Sequence, residues 1–236
     1  MKSKKLFLTV VSAFIVLIIV TTILNLPKNQ EESKKDKLPN KETIDEIPNV
    51  NTNGNYISYA NLETLEQNSE LIIIAQATQN FEDREHINTF YETPKDKYQP
   101  EFLIEGITKT DVNIKKILKQ PENEHYNEEE IISVIEPITI FEDVGKVKKV
   151  KTISNYKEIG RDDYILFLKK NTYGDYGIIN MNNGRYNLNN TNELNTSKAL
   201  SSWEERERNE DLIIHHEIIE TIFEKYSAEI KEIQNQ

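Results

Sequence analysis

Cysteine is absent from the 236 residues. That excludes disulfides, thiolate nucleophiles and cysteine-based zinc sites. It does not bear on export, because a fold outside the cell needs no disulfide. Glycine is scarce, with 7 in the whole chain, and neither a glycine-rich phosphate loop nor a G-x-S-x-G element occurs. Nucleotide cradles and the nucleophile elbow of serine hydrolases are disfavoured accordingly. Basic charge is also in short supply: 29 Lys and Arg stand against 40 Asp and Glu, a net charge of −11. Such a body has no positive field to offset the counterions of a phosphate backbone, so nucleic acid is not an expected partner.

The opening of the chain is apolar. Residues 6–26, "LFLTVVSAFIVLIIVTTILNL", carry no charge. As a helix this stretch spans roughly 30 Å, the thickness of a bilayer core. Lys2, Lys4 and Lys5 precede it, and the positive-inside rule keeps that end in the cytoplasm. The reading is a basic cytoplasmic stub at 1–5 and a single-pass transmembrane signal-anchor at 6–26. The C-terminal domain is then extracellular, at the cell membrane. The alternative is a cleaved secretory signal and a secreted protein. The apolar core is long for that, and no A-x-A-like site follows it.

Residues 27–55 mix both charges with Pro, Asn and Gly. They bury too little apolar surface to offset the entropy of ordering, and the expectation is a flexible tether. From Tyr56 the pattern changes, and 56–196 reads as an extracytoplasmic β domain. Tyr59, Leu62 and Leu65 suit a short amphipathic helix. "LIIIAQATQNF" (71–81) reads as a buried strand, 82–100 as a polar excursion, and 101–119 as one long or two broken strands. Gly106 would permit a bulge or a barrel corner. Short strands flank Pro137, and "GKVKKVKTIS" (145–154) resembles an edge strand guarded by lysines. "YILFLKK" (164–170) is apolar on both faces, which predicts burial on both sides, with Asp162 and Asp163 as turn residues before it. Asn183-Gly184 is a type I′ hairpin signal between "YGIIN" and "RYNL". Residues 197–236 form a C-terminal helix whose stripe is Leu212, Ile219, Ile222, Phe223, Tyr226, Ile230 and Ile233. Ser201 or Ser202 would cap it.

Candidate chemistry is sparse. His216-Glu217-x-x-Glu220 resembles an HExxH zinc motif with Glu in place of its second His. His216 and Glu220 would share a helix face and form a weak metal pair, although no third ligand lies nearby in sequence. His215 falls on the apolar stripe, four residues after Asp211, as a packing pair would. The acidic run Glu128, Glu129 and Glu130 lacks the pattern of an EF-hand loop. Tyr173, Tyr176 and Tyr186 lie near one hairpin. They would either pack across strands or form a stacking platform for a sugar or peptide. No catalytic set and no cofactor site emerges.

The segments "NSELIIIAQ", "VNIKKILK", "IGRDDYILFLKK" and "YGIINMNNGRYNL" together resemble a loose group of uncharacterised exported, membrane-anchored proteins of Gram-positive bacteria. The resemblance covers about residues 58–190. One departure is Gln120-Pro121, where the group has glycine after the second segment. It implies an OB-like antiparallel β-barrel, similar in outline to the inhibitory domain of metalloproteinase inhibitors. Those inhibitors chelate zinc through an amino-terminal cysteine, which this chain lacks, so that mechanism does not carry over. The fold class expected is α+β: transmembrane helix, short leading helix, OB-like barrel and C-terminal amphipathic helix. The function expected is non-enzymatic binding of an envelope protein, peptide or glycan. The alternatives are a metal-dependent envelope hydrolase using His216 and Glu220, or a purely structural surface protein.

Overall fold

The apolar runs at 71–77 and 164–168 are short and rich in Ile and Leu. A strand of that kind presents apolar side chains to both of its faces and needs a partner layer on each. The computed structural model describes residues 47–91, 102–143, 145–189 and 210–235. In chain order its elements are β1 (Asn49–Thr52), α1 (Leu62–Asn68), β2 (Leu71–Ala77), β3 (Glu85–Phe90), β4 (Leu103–Lys119), β5 (Ile131–Glu136), β6 (Ile138–Glu142), β7 (Lys148–Ile153), β8 (Asp163–Lys170), β9 (Tyr176–Ile178), β10 (Arg185–Asn187), α2 (Glu210–Lys225) and α3 (Ser227–Gln234). The segment 6–26 expected to cross the membrane and the cap residues Ser201 and Ser202 lie outside the described residues. No helix among the described residues is long and apolar enough to cross a membrane.

β2 pairs with β4, β4 with β5, β5 with β9, β9 with β8, and β8 with β2 again. The strands therefore close into an OB-like barrel, antiparallel throughout except for the parallel β5–β9 pair. Alternation splits each apolar run between two cores. Leu71, Ile73 and Ala75 of β2 and Tyr164, Leu166 and Leu168 of β8 fill the barrel, with Val112, Ile114, Val134, Ile159 and Tyr176. Ile72, Ile74, Ile165 and Phe167 point outward and lie under the helices, against Leu62, Leu65, Ile218, Ile219, Ile222, Ile230 and Ile233. The two-sided burial read from "YILFLKK" is thus met by barrel and helices. Asn61 caps α1, its Oδ1 accepting from the Thr64 N–H at 2.9 Å. The C-terminal segment is two helices, α2 and α3, with the break at Tyr226.

A second, smaller sheet, ordered β1-β7-β6, sits over a third core of Ile47, Phe81, Ile138, Val150, Tyr156 and Met181. Here four expectations are corrected. The lysine-studded strand β7 is central rather than an edge, because β1 pairs with it in parallel. β1 itself comes from the segment read as a tether, and its polar composition hid it. Lys151 reaches back to donate to the carbonyls of Leu103 and Ile104, at 3.2 and 2.8 Å. The polar excursion 82–100 contains β3, which pairs with the first half of β4. Finally, Asn183-Gly184 does not form a hairpin. β9 and β10 both run along one edge of β8 as an interrupted strand. The excursion between them turns at Asn180 and Met181, both in the left-handed region. Gly184 is still obligatory there, since a Cβ would sit 1.6 Å from the Ile179 carbonyl oxygen.

Gly106 serves a similar purpose in β4, a single strand of 17 residues. A Cβ at that position would meet Thr139 Cγ2 at 2.2 Å, so its absence lets β6 cross the strand. The junction of barrel and second sheet is pinned by a buried ion pair, Arg84 Nη1 to Glu136 Oε1 at 2.9 Å. Arg84 also donates to the carbonyls of Gln79 and Ile159, while Glu136 Oε2 accepts from Tyr156 Oη at 3.0 Å and the Ile159 N–H at 2.7 Å.

Removing one member of this pair leaves the other charged and buried. Arg84→Met is therefore expected to cost about 3–5 kcal/mol, measured as the shift in urea midpoint. The double variant Arg84→Met/Glu136→Leu, which leaves no unpaired charge, is expected to recover a substantial part of that loss.

Candidate functional site

The helices cover the outer face of β2 and β8. Among the described residues, no helix covers the outer face of the first half of β4 and of β3 beside it. Residues along β3 alternate, so Ile87, Thr89 and Tyr91 share one face while His86, Asn88 and Phe90 share the other. Register places Ile107 opposite Ile87 and Glu105 opposite Thr89. The Tyr91 N–H donates to the Phe102 carbonyl at 2.8 Å, which puts Phe102 opposite Tyr91. A bulge between Thr89 and Phe90 inserts Ile104 into the β4 side of the ribbon. Four large apolar side chains end up in solvent here: Ile87 at 37% exposure, Ile104 at 55%, Tyr91 at 57% and Phe102 at 61%. Isolated exposed apolar residues are ordinary, but a group on one ribbon face is the pattern of an interaction surface. Further along the barrel the same outer side turns polar, with Lys109 opposite Ile135 and Asp111 opposite Ser133.

The opposite face of the ribbon is held rigid. β6 crosses it, and the His86 and Asn88 side chains satisfy the backbone of Ile140. The Ile140 N–H donates to His86 Nδ1 at 3.2 Å, and the Ile140 carbonyl accepts from Asn88 Nδ2 at 3.0 Å. With Nδ1 accepting, His86 Nε2 carries the proton and donates to the Phe81 carbonyl at 3.1 Å. The Thr108 hydroxyl donates to the Ile138 carbonyl at 2.6 Å and fixes the neighbouring stretch of β6. Burial pushes the His86 imidazole below its ordinary pKa of 6.5, with the nearby Arg84 charge adding to the effect and the Phe81 hydrogen bond and Glu82 opposing it.

The residues singled out in the sequence fall elsewhere. His216 Nε2 and Glu220 Oε1 do share a helix face, 3.1 Å apart. No group of three or more metal-ligating side chains occurs among the described residues. The three tyrosines occupy three different environments. Tyr186 is fully buried between helices and barrel, stacked on His215 with ring centres 4.6 Å apart. Tyr176 is buried at the barrel end, its hydroxyl donating to Glu124 at 3.2 Å. Tyr173 stands 90% exposed at a loop tip. No common stacking surface joins them. The described hydrogen-bond partner of His215 is Asn183 Oδ1, at 2.9 Å.

The acidic loop 121–130 is tied down rather than free. Glu124 accepts from Lys170, Tyr126 and Tyr176, and the Lys170 ammonium, ahead of the two hydroxyls, holds its carboxyl below the usual range. Glu128 and Glu129 meet Lys116 and Lys115 of β4 at 3.3 and 3.6 Å. The half of the ribbon with no counterpart in the sequence expectations is β3, since β4 falls within the strand expected at 101–119. Its signal was the β-branched alternation of Ile87 and Thr89 inside an otherwise polar stretch. Compared with known proteins, the chain matches no family model, no curated protein and no solved structure.

The tautomer of His86 gives the site a defined pH dependence. Its folded-state pKa lies below that of the unfolded chain, so its contribution is fully present above pH 6.5. On acidification the unfolded chain takes up the proton first, and stability is lost as pH falls through the folded value. His86→Gln keeps one acceptor and one donor without the titration. The difference in urea midpoint between wild type and variant is expected to narrow as pH drops from about 7 to about 5.

Proposed function

We propose that this chain is a non-enzymatic binding module of the cell surface. The apolar segment 6–26 holds it in the membrane with the amino terminus cytoplasmic, and the barrel domain faces outward. The outer face of the β3–β4 ribbon receives a polypeptide partner. The observation that carries this reading is the grouping of Ile87, Tyr91, Phe102 and Ile104 in solvent on one ribbon face. Rigid backing by β6 supports it, because a preorganised surface loses little entropy on binding. The lysines at 2, 4 and 5 support the orientation. The net charge of −11 weighs against nucleic acid as the partner.

The test places a photoreactive amino acid at Phe102 or Ile104 and, as control, at Glu224, an exposed position on α2. The cells are a Gram-positive host, intact, with a C-terminal tag on the chain. One cross-linked protein is expected from the two ribbon positions and not from Glu224. Ile87→Glu, with retention of the native far-UV signal checked, is expected to lower the yield by roughly tenfold. Protease added outside protoplasts is expected to remove the tag. Equal labelling from both faces, or none from the ribbon, would sink the binding reading, and a protected tag would sink the topology.

A further inference from the structure

Edge strands expose unpaired backbone donors and acceptors, and natural proteins usually blunt them with lysine, proline or a covering element. β3 has a free edge of this kind. Among the described residues it pairs only with β4. The Tyr91 N–H points to β4, so alternation turns the N–H and C=O groups of His86, Asn88 and Phe90 toward the other edge. β6 does not occupy that edge. It crosses the inner face, contacting side chains: Asn88 Nδ2 and His86 Nδ1 bond to Ile140, and Thr139 Oγ1 lies 3.0 Å from Asn88 Oδ1. The strand "EHINTF" contains no lysine, proline or glycine to discourage pairing.

We infer that β3 takes up an extended strand of another polypeptide by backbone pairing, with apolar side chains at alternate positions of that strand and basic residues at its ends. This rests on the ribbon being a binding surface and specifies what it binds. The backbone edge demands a strand, since only another extended chain matches donors and acceptors at that spacing. The exposed face beside it, built from Ile87, Ile107, Tyr91 and Phe102, selects apolar side chains at every second residue of the incoming strand. Charge selects its ends. Among the described residues Glu82, Asp83, Glu85 and Glu105 lie on or beside the ribbon against Lys109 and Lys151, and the cation in β3's approach, Arg84, is consumed by buried Glu136. The same acidity disfavours a second copy of this chain, because each copy carries −11.

The experiment uses the full chain in detergent micelles and a blocked nonapeptide, Lys-Val-Thr-Val-Thr-Val-Thr-Val-Lys. Its comparators are the same peptide N-methylated at alternate residues and one with Glu at both ends. Affinity is read by calorimetry and backbone engagement by hydrogen–deuterium exchange. The parent peptide is expected to slow exchange at His86, Asn88 and Phe90. N-methylation on the pairing edge, and separately the Glu ends, are each expected to weaken binding by roughly tenfold or more. If the N-methylated peptide binds equally well and Ile87→Glu still weakens it, strand addition is overturned while the ribbon stays a binding face. Equal affinity for the Glu-ended peptide overturns the charge selection. Absence of binding by all three peptides overturns the inference, and the cross-linking from Phe102 and Ile104 then decides independently whether the ribbon binds anything.

Discussion

The Arg84–Glu136 pair is where the parts of this domain meet. Glu136 ends β5, the third strand of the barrel, and Pro137 then sends the chain into β6 of the second sheet. Arg84 stands immediately before β3. Its guanidinium reaches Glu136, Thr110 of β4 and the carbonyls of Gln79 and Ile159. Each oxygen and N–H that is taken from water here finds a partner, which is the condition for burying an ion pair without a large penalty. The pair therefore fixes the angle at which the ribbon leaves the barrel and the place where the second sheet crosses it.

That crossing divides the surface into unlike halves. Helices seal the outer side of β2 and β8 with aliphatic contacts. β6 seals the inner side of the ribbon through His86, Asn88 and a contact that only Gly106 permits. The outer side of the ribbon keeps its aromatic and branched residues in water. A side chain such as Phe102 would gain roughly 1.5–3 kcal/mol by full burial. Leaving several of them uncovered on a rigid support is the physical basis for reading the ribbon as a contact surface. The barrel's interior, filled by its own side chains, offers no comparable role.

Much of the barrel was legible in the chain. The runs around Ile73 and Leu166 announce strands covered on both faces, because they are short, apolar at consecutive positions and rich in Ile and Leu. The helical period of Ile219, Ile222, Tyr226, Ile230 and Ile233 announces a packing helix. The pairing of β1 with β7 was not legible, since Thr52 stands 100 positions before Thr152, to whose carbonyl it donates, and neither strand carries a continuous apolar run. β3 escaped for a related reason: "EHINTFY" is polar by composition, and only its alternation, once paired with β4, separates a backed face from an open one. Tyr186 shows the converse. Its neighbours in sequence leave open packing across strands or a stacking platform, and the structure buries the ring against His215.

By itself the sequence determined the acidic charge, the absence of thiol chemistry, the apolar opening segment, and which strands and helices must lie in a core. Those properties depend on composition and on short-range periodicity, which tertiary structure cannot change. The closure of the barrel, the seating of Arg84 on Glu136, and the exposure of Ile87, Tyr91, Phe102 and Ile104 were decided only in three dimensions. Each depends on which face of a strand meets a distant element, and alternation leaves two faces open until that element is in place.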